Sequence, residues 1–96
     1  MSLFVIEAKH PAESCPAASP EMGPMLLKHV SPENTAKFGI RLLGDAVVDG
    51  AHTFYLILEA DSAEKVSEFM APFAHVGTVA VMPSSTCEQV VARANC

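Results

Sequence analysis

The feature that most constrains this chain is an apolar/polar alternation over residues 52–60, HTFYLILEA, placed directly after Asp49-Gly50. In an extended strand Phe54, Leu56, Leu58 and Ala60 fall on one side, and Thr53, Tyr55, Ile57 and Glu59 on the other. Asp-Gly between two apolar runs marks a hairpin. Residues 40–48, IRLLGDAVV, are then the preceding strand, with Gly44 placed for a bulge. A further alternation at residues 3–9, LFVIEAK, sets Phe4, Ile6 and Ala8 against Leu3, Val5, Glu7 and Lys9. Residues 76–82, VGTVAVM, supply a fourth strand.

Helical signals fill the gaps between these strands. Residues 10–20, HPAESCPAASP, carry three prolines and read as a loop. An eleven-residue unstructured connection is long for a compact domain, and loops of that kind often carry function. Residues 21–29 follow as a short helix with Met22, Met25, Leu26 and His29 on one stripe. Ser31-Pro32 predicts a cap and a second short helix through Lys37, stopped by Gly39. Asp61 with Glu64 predicts a capping box. Val66, Phe69, Met70 and Phe73 then form an i, i+3, i+4, i+7 stripe, and Pro72 kinks or ends that helix in its last turn. Ser85 with Glu88 predicts a final helix to about Ala94. The order β-α-β-β-α-β with a short C-terminal helix predicts an α+β, ferredoxin-like sandwich with strand order 4-1-3-2, as one domain over residues 1–96.

Charge narrows the partners. The six basic residues, Lys9, Lys28, Lys37, Arg41, Lys65 and Arg93, are scattered, and the net charge is -5. Phosphate backbones and anionic membrane surfaces need clustered cations, so nucleic acid and membrane are not expected partners. The apolar run Leu3 to Ile6 is too short for a signal sequence or a membrane span, and three cysteines, an odd number, fit reduced thiols. A cytoplasmic setting is expected.

In that topology both long helices cover one sheet face. The other carries Leu3, Val5, Glu7, Tyr55, Ile57 and Glu59, which is apolar for a solvated surface. Packing two such faces together predicts a homodimer, with Glu7, Tyr55 and Glu59 in a semi-polar cavity able to take a small molecule. Solvated carboxylates near strand ends are the plainer alternative.

Topology also gathers chemistry. His10 follows strand 1, His52 opens strand 3 and His75 precedes strand 4, so all three are expected at one end of the sheet. Cys15 lies on the loop covering that end, and His29 is expected at the opposite one. Imidazole and thiolate are ligands of zinc, nickel, copper and iron, which makes His10, Cys15, His52 and His75 candidate metal ligands. Each also has a plainer role: His52 satisfying a turn, His75 complementing a helix C-terminus, Cys15 a small buried hydrophobe, His10 bonded to loop backbone. Cys15 activated by a neighbouring imidazole is a nucleophile or redox thiol instead.

Three short elements carry a resemblance. They are His10-Pro11-Ala12-Glu13-Ser14-Cys15-Pro16, Glu59-Ala60-Asp61-Ser62 and Gly77-Thr78-Val79. With them the chain resembles the dimeric α/β-barrel group of ferredoxin-like proteins. Within that group it is similar to small uncharacterised bacterial and archaeal proteins with a His-x-Pro-Glu-x-Cys-Pro element, from which it departs at Ala12. The resemblance implies a fold and a dimer. It implies no reaction, because the group spans haem-degrading monooxygenases, isomerases and a nickel-binding protein. Three functions follow as expectations: a transition-metal-binding protein, a small-molecule enzyme with His10 or His52 as acid/base and Tyr55 and Glu59 orienting the substrate, and a non-catalytic dimerisation module.

Overall fold

The alternating segments become a four-stranded antiparallel sheet in the computed structural model, which describes residues 1–96. Strands β1 (Ser2–Lys9), β2 (Ile40–Val48), β3 (Thr53–Ala60) and β4 (Thr78–Ser84) lie in the order β2-β3-β1-β4. This is the expected ferredoxin-like arrangement. The central pair β1/β3 runs in unbroken register from Ser2↔Ala60 to Lys9↔Thr53. Unbroken pairing keeps Phe4, Ile6 and Ala8 beside Phe54, Leu56, Leu58 and Ala60 on one face, all buried.

That face is covered by helices. Helix α1 (Met22–His29) and α2 (Pro32–Lys37) occupy the first connection, and α3 (Ala63–Ala74) the second. Val66, Phe69 and Met70 project from α3 into the core and are almost fully excluded from water. Each such side chain contributes on the order of 1.5–3 kcal/mol relative to an exposed one. His29 stacks on Phe69 with centroids 4.4 Å apart, and its Nε2 lies 2.7 Å from the Phe69 carbonyl. It therefore belongs to the helical layer between α1 and α3, rather than to the far end of the sheet where its place at the end of the first helix suggested.

The boundaries differ from expectation where capping decides them. Ser62, not Asp61, caps α3, its hydroxyl accepting from the Lys65 amide. Thr86 with Gln89, not Ser85 with Glu88, forms the reciprocal capping box of α4 (Cys87–Arg93). Strand β4 begins two residues later than expected, because His75 and Val76 still bond back into the end of α3. The proline-rich loop is not structureless either: residues 12–14 and 16–18 form two 3-10 turns, with Cys15 between them. The bulge in β2 falls where glycine suggested it, with the register slipping between Leu42 and Gly44. No helix is long and apolar enough to cross a membrane.

Candidate metal centre

At the end of the sheet where β1 stops and β3 starts, three side chains converge. One donor atom each from His10, Cys15 and His52 lies within 4.8 Å of the others. Three ligands on one tetrahedral ion stand about 3.4–3.6 Å apart, given metal–nitrogen and metal–sulfur bonds of about 2.0 and 2.3 Å. The 4.8 Å spread is roughly an ångström wider than that, so the three donors would draw together to share one ion.

Each donor is held by its own element. His10 is the first residue past β1, and its amide donates to the His52 carbonyl at 3.1 Å. The four-residue connection 49–52 turns with two left-handed residues, Gly50 at φ 75° and His52 at φ 49°. Histidine tolerates that region better than most side chains, though at a cost glycine avoids. The two imidazoles end up with centroids 5.3 Å apart at an interplanar angle of 66°. Cys15 is fixed through its successor: Pro16 is the one buried residue of the loop, and the turns either side close on the Cys15 amide and carbonyl.

Gly77 completes the support. A Cβ built there would sit 1.9 Å from the Lys9 carbonyl oxygen and 3.0 Å from the His10 Cα. Only glycine lets the entry to β4 pass this close to the backbone that presents His10.

The electrostatics of the cluster favour neutral imidazole. Burial, and secondarily the His52 ring, push the His10 pKa below the ordinary histidine value. Its Nε2 is buried with no hydrogen-bond partner. An unpaired buried polar atom costs about 1–3 kcal/mol, and coordination of an ion would relieve it. Cys15 is a free thiol, half-buried.

A cavity of about 230 Å³ opens on the cluster, lined by His10, Cys15 and His52 together with apolar groups that include Leu26, Val48 and Phe54. Pro16 and Leu26 also line a second, apolar cavity of about 190 Å³ between α1 and α3. Leu26 and Val48 were not legible as site residues. Leu26 is one residue of the α1 stripe with Met22, Met25 and His29, and Val48 looks like any strand residue.

The other expected site residues lie elsewhere. His75 is the exposed C-terminal cap of α3 and is not part of the His/Cys group. On the uncovered sheet face the Tyr55 hydroxyl donates to Glu7 at 2.5 Å, and Glu59 faces Arg41 at 3.8 Å. The Glu7 contact, with smaller contributions from burial, raises the Tyr55 pKa above its ordinary value. Glu59 and Arg41 line a separate cavity of about 360 Å³ near the start of α4. None of Glu7, Tyr55 and Glu59 lines the cavity at the cluster.

Fold and cluster together define a small ferredoxin-like α+β domain with a His/Cys/His donor set at one end of its sheet. The chain belongs to the family described as Domain of unknown function (DUF3303), whose model matches residues 3–95. Neither the curated proteins nor the solved structures yield a match to it.

Proposed function

We propose that this protein binds a first-row transition metal ion through His10, Cys15 and His52. The observation that carries the reading is the buried, unpartnered Nε2 of His10 inside a group of three metal-type donors. Imidazole and sulfur donors suit zinc, nickel, copper or iron rather than calcium or magnesium, which take oxygen ligands. A reducing cytoplasmic setting keeps the Cys15 thiol available to the ion.

Elemental analysis of untagged protein tests this. About one equivalent of metal is expected in the wild type, and little in His10→Ala, Cys15→Ala or His52→Ala. Equal, negligible metal in all four would sink the proposal.

We further infer that the domain, spanning residues 1–96, works as a homodimer through its uncovered sheet face, in the manner of the dimeric α/β-barrel proteins it resembles. Ile57 and Met82 are 45% and 39% exposed on that face, beside the half-buried Leu3 and Val5. Two copies face to face would enclose the Glu7–Tyr55 pair, the place for a small-molecule ligand. Catalysis by His10 or His52 with Tyr55 and Glu59 lacks a common site: the two histidines line the cavity at the cluster, Glu59 lines a separate one, and Tyr55 lines neither.

A further inference from the structure

The shape and lining of the space beside the cluster say more about the centre than that it takes up metal. We propose that the centre is an open one, whose fourth coordination position receives small anions with a soft head and a short apolar body, thiolates above all. This deepens the metal-binding reading and rests on it.

Donor count gives the first argument. Structural zinc sites are closed by four protein ligands, whereas sites that bind or transform a ligand leave a position to it. Here three side chains form the group, and neither His75 nor the nearby Asp49 belongs to it. Dication and thiolate together carry one positive charge, which an anionic head neutralises. A second sulfur donor gives the N₂S₂ set that soft and borderline ions favour.

Cavity shape gives the second argument. The space on the cluster is about 230 Å³, room for about seven water-sized groups at roughly 30 Å³ each. Besides the three donors its lining includes the apolar Leu26, Val47, Val48 and Phe54, from α1, from the end of β2 and from the start of β3. Asp49 is the one carboxylate in the lining, at the turn. A head on the metal thus shares its cavity with apolar groups, in a space with room for a chain of about four to six carbons, and meets no cation there for a second negative charge.

Cobalt(II) reports both properties at once. The loaded protein is expected to show sulfur-to-cobalt charge transfer and tetrahedral d–d bands, absent from Cys15→Ala. Under anaerobic conditions, titration with ethanethiol, propanethiol, butanethiol and pentanethiol should shift those bands. The apparent Kd should tighten about fourfold per methylene until the slot is full. Val48→Phe, at a half-exposed position, and Leu26→Phe should each bind cobalt normally yet reach that plateau at a shorter chain. Cobalt bands unmoved by any thiol would show a closed centre and overturn the inference while leaving the metal site standing. Bands that shift equally at every chain length would overturn the apolar slot. Absence of any cobalt bands in the wild type would remove the metal reading, and this one with it.

Discussion

The His10 amide and the His52 carbonyl are joined by a hydrogen bond of 3.1 Å, so the two imidazoles share one backbone clamp just beyond the last β1/β3 pair. That clamp makes the spacing of the two rings a property of the sheet rather than of a loop. It also exposes His52 to a conformational cost. His52→Gly removes a side chain held at φ 49° and should leave the apo domain as stable or up to about 1 kcal/mol more stable. Metal uptake should be lost with it. Thermal unfolding and metal analysis of the same preparation check the pair of outcomes; a clear drop in melting temperature would refute the strain.

Gly77→Ala should act on the site from outside it. With 1.9 Å between the added methyl and the Lys9 carbonyl oxygen, backbone must move on one side or the other. A loss of about 2–4 kcal/mol in denaturant unfolding is expected, as for overpacked or strained positions. Whatever folded protein remains should bind metal more weakly, since His10 follows Lys9 directly.

The sheet face offers an optical test, because the chain has one tyrosine and no tryptophan. Phenolate absorbance at alkaline pH therefore reports Tyr55 alone. Its midpoint should lie above 10, and Glu7→Gln should bring it back toward that ordinary value. The raised pKa sets the sign for stability. Below the unfolded value the phenol keeps its proton in both states, so its contribution to stability is fully present and flat with pH. As pH rises past it, the unfolded chain ionises first and stability falls. A midpoint unchanged by Glu7→Gln would refute the contact.

Dimerisation through the same face predicts its own disruption. Ile57→Lys places a charge at the middle of the uncovered surface without touching the core side of β3. Sedimentation should show a dimer for the wild type and a monomer with unchanged circular dichroism for the variant. A wild type that sediments as a monomer at high concentration would end the proposal.

Much of this architecture is legible in sequence because period-two alternation and Asp-Gly are strong local signals. Residues 53–60 and the α3 stripe point to their buried faces without any knowledge of the rest. Caps were less legible: Asp61 and Ser62 are both good N-caps, and only the path of the chain leaving β3 chooses between them. The cluster was partly readable, since strand order alone puts His10 and His52 at one end. His75 shares that end, but α3 continues to Ala74 and leaves it as an exposed cap. The contact made by Gly77 and the slot walled by Leu26 and Val48 arise between segments distant in sequence, and no local pattern announces them.

Pro16 touches two compartments: it walls the cavity at Cys15 and the one beneath Met22 and Phe73. Anyone wishing to transplant this centre into another scaffold therefore cannot lift out residues 10–16 as a cassette. The portable unit is the loop with α1 behind it and the β2–β3 hairpin end in front. An edit to α1 made purely to improve its packing should be expected to retune the chemistry at Cys15.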